Sequence, residues 1–179
     1  MTQLPVIIDA AGWRVSFHSC GDRIAHTVGL VVAGRVLPLL ASVEGTPDDS
    51  WPPSPPLTTV ETATARGGQQ AMLLGMAGRN HWSVSLVVNE AAGRLEFEVA
   101  CRLKEPAGRL GSAYRTMVAA SDSSGGVEVR VDGETVRVEA PSPAAQVCIT
   151  PEGLTVPVDP PDGPFPRTVI WKYAVCRLP

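Results

Sequence analysis

The chain has 179 residues, with 15 Lys and Arg against 18 Asp and Glu, a net charge of −3, and 44% hydrophobic against 18% charged residues. That length suits a single domain (1–179) able to bury a core without disulfide or metal staples, and the balance excludes a charge-rich disordered chain. The lack of a basic excess argues against a nucleic-acid partner held through its phosphates.

The opening run, Met1 to Asp9, has no basic n-region and only a short apolar stretch. It reads as neither a signal peptide nor an anchor, so a cytoplasmic location and no membrane partner are expected. Trp13, Val15 and Phe17 then alternate with Arg14, Ser16 and His18, the period of a half-buried strand with one wet face. In the next strand His26 falls in phase with Ile24, Val28 and Leu30 and is expected to point inward. Ala33-Gly34 can turn a hairpin that sets Leu30 near Leu37 and Val28 near Leu39, with Pro38 at an edge or bulge.

Five prolines between Glu44 and Pro56 remove the amide donors a ladder needs, so this segment reads as a long loop, with Trp51 as an aromatic able to lie over a ligand. Gly67-Gly68 lacks the strand-to-helix context of a nucleotide-binding loop. Trp82, Val84, Leu86 and Val88 alternate with His81, Ser83 and Ser85, and a loop at Glu90 to Gly93 aligns them with Cys101, Val99, Phe97 and Leu95. A slip of one residue would turn half of those side chains to the wrong face, so the register is well specified. Ser121 to Gly126 reads as a loop, and Asp132-Gly133 as a two-residue turn that pairs Val129 with Val136 and Glu128 with Arg137. After a further loop at Pro157 to Pro166, Val169, Trp171, Tyr173 and Val175 supply the last alternating strand.

No stretch of a dozen residues carries the i, i+3, i+4 spacing of a helix. The chain therefore reads as all-β: roughly ten to twelve antiparallel strands, more than an open sheet usually holds, folded into a two-layer sandwich. Four scattered cysteines, Cys20, Cys101, Cys148 and Cys176, show no metal-ligand spacing and read as free thiols. No metal or cofactor is called for.

The register at Glu90 to Gly93 also places His81 opposite Arg102 and Ser85 opposite Glu98 on the outer face, with Arg79 and Asn80 at the strand entry. Such a rigid polar surface suits hydrogen bonding to sugar hydroxyls, with Trp51 as the nearby aromatic. Ordinary cross-strand pairing on a wet face produces the same pattern. Many antiparallel strands with His, Arg and Glu on one face resemble the large sandwich of galactose-mutarotase-like and carbohydrate-binding proteins; no residue role is carried over from that likeness.

Three functions follow as expectations. The first is a non-catalytic module binding a carbohydrate or similar polar ligand through His81, Arg102, Glu98, Arg79, Asn80 and Trp51. The second is a sugar-epimerase-like or lyase-like enzyme with His81 as base and Glu98 as acid, which requires the two to converge in a pocket. The third is a structural protein that forms a homodimer through an exposed strand edge or apolar patch.

Overall fold

Period-two alternation sorts side chains as the sequence demands: Trp82, Val84, Leu86 and Val88 on one strand, and Leu95, Phe97, Val99, Cys101 and Leu103 on the next, are all buried. The computed structural model describes residues 4–65, 68–141, 145–160 and 162–179. Met1 to Gln3 of the opening run, Gly67 of the glycine pair and Pro161 of the late loop lie outside the described residues.

Among the described residues there are fifteen strands and no helix. They are β1 (Val6–Ala10), β2 (Trp13–Cys20), β3 (Arg23–Val32), β4 (Arg35–Ser42), β5 (Leu57–Ala65), β6 (Gly68–Ala77), β7 (Asn80–Asn89) and β8 (Arg94–Leu103). The second half adds β9 (Gly111–Thr116), β10 (Ala120–Ser123), β11 (Gly126–Val131), β12 (Glu134–Glu139), β13 (Cys148–Thr150), β14 (Gly153–Pro157) and β15 (Arg167–Arg177). Two antiparallel sheets result, one ordered β1-β2-β3-β4-β9-β14-β13 and the other β10-β11-β12-β15-β8-β7-β6-β5. They form a β-sandwich whose core includes Trp13, Phe17, Leu30, Leu86, Phe97 and Trp171.

The hairpins read from the sequence hold in register. Val88 faces Leu95, Leu86 faces Phe97, Val84 faces Val99 and Trp82 faces Cys101; Val129 faces Val136 and Glu128 faces Arg137. Three details differ. The strand count exceeds the expected ten to twelve because short pieces such as β1, β10, β13 and β14 carry too few alternations to read. Val28 pairs with Leu40 rather than Leu39, since the ladder shifts between Val28 and Gly29, opposite the donor-less Pro38. Ser121 to Gly126 is not all loop: Ser121 to Ser123 belong to β10, which pairs with β11.

The Pro-rich segment carries no strand, as its missing amides require. It crosses from β4 in one sheet to β5 in the other, and is fixed at both ends. Arg23, buried although charged, donates to the carbonyl oxygens of Glu44 and of Thr46, the latter at 2.7 Å. At the far end the Pro56 carbonyl lies against Gly75 of β6, where a Cβ would come within 1.8 Å of that oxygen. Glycine at this point of a strand marks a close backbone approach.

Candidate functional site

The four central strands β6, β7, β8 and β15 put every second side chain on the outer face of the eight-stranded sheet, and their registers arrange these in rows. One row runs Leu74, Ser83, Ala100, Ile170. On one side of it lie Met76, His81, Arg102 and Thr168; on the other lie Met72, Ser85, Glu98 and Lys172. Leu74, Ile170, Met72 and Met76 are 56%, 50%, 45% and 54% exposed, which makes this a surface of mixed apolar and charged character rather than a purely polar one.

Three of the expected residues, His81, Arg102 and Glu98, are therefore on this face and exposed. The Lys104 ammonium approaches His81 Nε2 at 3.3 Å, and Glu98 forms an ion pair with Lys172. His81 and Glu98 do not converge. His81 faces Arg102, whereas Glu98 faces Ser85, four residues further along β7 and so roughly 13 Å away. An acid and a base that far apart on an open sheet do not act on one small substrate.

The other three leave the face. Arg79 is exposed in the turn between β6 and β7. Asn80 is fully buried: its Oδ1 accepts the Lys104 amide at 2.9 Å and its Nδ2 donates to Glu105 Oε1 at 3.3 Å, so it clamps the chain leaving β8. Being in phase with Trp82 and Val84, it turns inward as they do. Trp51 does not cover the outer face either; it packs edge-on against the inward Trp82, with ring centroids 6.0 Å apart, and Gly108 fits close to its indole. The aromatic surface that a sugar ring would stack upon is thus spent on closing the core.

Two of the depressions among the described residues have charged linings that matter here. One of about 300 Å³ lies on the same outer face, lined by Ser85, Arg94, Glu96, Glu98, Pro141 and Lys172 among others. A larger cleft of about 520 Å³ runs along β9 and β14 beside Pro53, with Arg109 and Glu152 as its charged lining. Sequence reasoning missed this cleft because it depends on where the Pro-rich segment lands.

Between the sheets sits a polar cluster. His26, buried as its phase requires, has Nε2 2.9 Å from the Tyr114 hydroxyl, which is 2.6 Å from the Tyr173 hydroxyl. Glu44 lies close by; Ser42 donates to its Oε1, while Glu44 Oε2 and His26 Nδ1 have no hydrogen-bond partner among the described residues. Burial lowers the His26 pKa to about 4, with the charge of His18 adding to the effect. Burial raises that of Glu44 to about 7, against the opposing hydrogen bond from Ser42 and the charge of Arg23. The space these groups share with Ser54, Ser112 and both tyrosines is about 10 Å³, the scale of one water molecule and too small for a substrate. Among the described residues no three His, Cys, Asp or Glu side chains group to hold a metal ion.

The chain matches no protein-family model, and no curated protein is similar to it.

Proposed function

We propose that the protein is a non-catalytic interaction module that self-associates through the outer face of its eight-stranded sheet. One observation carries the reading: Met72, Leu74 and Met76 form an exposed apolar stripe on β6, and Ile170, also about half exposed, stands three strands away on the same face, with Arg102 and Glu98 between. Exposed apolar side chains interspersed with charged ones on an open sheet face suit a protein-binding surface more than a small-molecule pocket. Four strands spaced ~4.8 Å apart and about ten residues long cover roughly 19 by 34 Å, about 650 Å², which is within the range of area each partner contributes to a stable interface.

Sedimentation velocity of the wild type and of Leu74→Asp tests this. A dimer that dissociates on dilution, and is lost in the variant while circular dichroism is unchanged, supports the reading; a wild type that stays monomeric at high concentration overturns it.

A polar ligand of the carbohydrate class is the second reading, favoured by the depression of about 300 Å³ beside Glu98, Lys172, Ser85 and Glu96. Its size is at the lower end for ligand sites. A saccharide that binds only the folded protein raises the melting temperature; a rise in the wild type that vanishes in Glu98→Gln supports this reading, and a panel with no shift removes it.

A further inference from the structure

The outward side chains of β8 and its continuation read Arg94, Glu96, Glu98, Ala100, Arg102 and Lys104, with the Arg94 guanidinium paired to Glu96 at 2.7 Å. From Glu96 onward the order is acid, acid, neutral, base, base, which changes sign about Ala100. The outward side chains of β6 read Gln70, Met72, Leu74, Met76, of which the last three are symmetric about Leu74. Leu74 and Ala100 lie in one row, with Ser83 between them and Ile170 beyond. The sign change of one strand and the symmetry of the other therefore share a single line across the sheet.

We infer that the partner on this face is a second copy of the chain, docked about a two-fold axis lying along the row Leu74, Ser83, Ala100, Ile170. The inference rests on the self-association proposed above and adds its geometry. Rotation about an axis in the interface, perpendicular to the strands, leaves each strand facing its own copy and reverses its direction. Arg102 then meets Glu98 of the partner subunit and Lys104 meets Glu96 of the partner subunit. Met76 covers the partner's Met72, while Leu74 and Ile170 each cover their own counterparts. Each charged contact occurs twice, because a two-fold interface is self-complementary. Facing sheets pack with strands within about 30° of one another, and residues two positions from the axis, ~7 Å out, shift sideways by less than one strand spacing at that angle.

An arrangement with its axis running along β8 itself sets Glu98 against the partner's Glu98 and Arg102 against the partner's Arg102, juxtaposing like charges. The order of charges on β8 thus favours the axis along the row over one along that strand.

Charge reversal at these exposed positions tests the geometry, with circular dichroism and urea unfolding checking that the fold survives the loss of the Glu98–Lys172 pair. Glu98→Lys and Arg102→Glu are each expected to weaken self-association at least about tenfold, since each creates two like-charge contacts. An equimolar mixture of the two variants is expected to associate about as well as the wild type, because every facing pair in the mixed dimer is again of opposite charge. Sedimentation velocity with one variant carrying a fluorophore reads the mixed species directly. A wild-type dimer that neither reversal weakens, or a mixture that stays as weak as its components, overturns this docking and leaves the self-association reading standing. A wild type that is monomeric throughout sinks both.

Discussion

The Ser54 hydroxyl serves both backbone hydrogen-bonding groups of Ala113, donating to its carbonyl at 2.9 Å and accepting from its amide at 3.0 Å. β4 ends at Ser42 beside this point of β9, and Val43 sends only one further amide, to the same carbonyl at 3.0 Å. Without a neighbouring strand the Ala113 amide needs another acceptor, and Ser54, itself buried, supplies it. Ser54→Ala is expected to cost about 1–3 kcal/mol, the penalty of a buried amide left unpaired. Urea unfolding with an unchanged m-value measures it; a loss below about half a kcal/mol would mean the amide finds another partner.

Arg23 fixes the opposite end of the same segment. Its guanidinium gathers the Glu44, Thr46 and Asp49 carbonyl oxygens, the second of which also accepts the Asp49 amide. A lysine ammonium lacks the planar fork that spans several acceptors at once. Arg23→Lys is therefore expected to lower stability by about 2 kcal/mol and to speed proteolysis within residues 44–56 under native conditions. Mass spectrometry of the fragments locates the first cut; cleavage elsewhere, at an unchanged rate, would show that Arg23 does not hold the segment.

Local periodicity made the sandwich legible before any contact between sheets was known. Trp82 to Val88 and Leu95 to Leu103 fix their shared register because a slip would expose half their apolar side chains. The same alternation turns Asn80 inside, in phase with Trp82, although the sequence reading takes it for part of the polar surface. The exposed apolar patch was hidden for a different reason. Ala71, Met72, Leu73 and Leu74 form an unbroken apolar run, and nothing within the run tells which alternate side chains meet the core and which meet water. The position of Trp51 depends on Gly108 and Trp82, far along the chain, and such long-range packing leaves no periodic trace.

The four cysteines are unpaired, as their spacing suggests. Their reactivities should differ sharply, because the thiolate is the attacking form and burial suppresses it. Burial pushes the Cys101 thiol up to about 12 and, with the nearby Glu139 charge, that of Cys176 to about 11, whereas Cys20 is exposed. Brief treatment with iodoacetamide at mildly alkaline pH is expected to modify Cys20 and spare Cys101 until denaturant is added. Peptide mapping reads the order, and Cys101 alkylated as fast as Cys20 in the native protein would contradict its burial.

Glu44 and His26 give the interior a pH dependence of two opposing signs. Glu44 has a folded pKa of about 7 against an ordinary value of 4.5, so the fold favours its protonated form. Its contribution is complete below the unfolded value and is lost as pH rises through about 7. His26 has a folded pKa of about 4 against 6.5, so the fold favours its neutral form. That contribution is complete above the unfolded value and is lost as pH falls toward about 4. Where the windows overlap, the two slopes, each up to about 1.4 kcal/mol per pH unit, oppose one another. Stability of the wild type is then expected to vary little across that range. Glu44→Gln removes one slope and leaves stability rising with pH; His26→Gln removes the other and leaves it falling. Urea unfolding at a series of pH values distinguishes them. Parallel curves for the two variants would mean that neither buried group titrates differently in the folded and unfolded chain, whereas divergence in these directions ties the effect to the cluster beneath the Pro-rich segment.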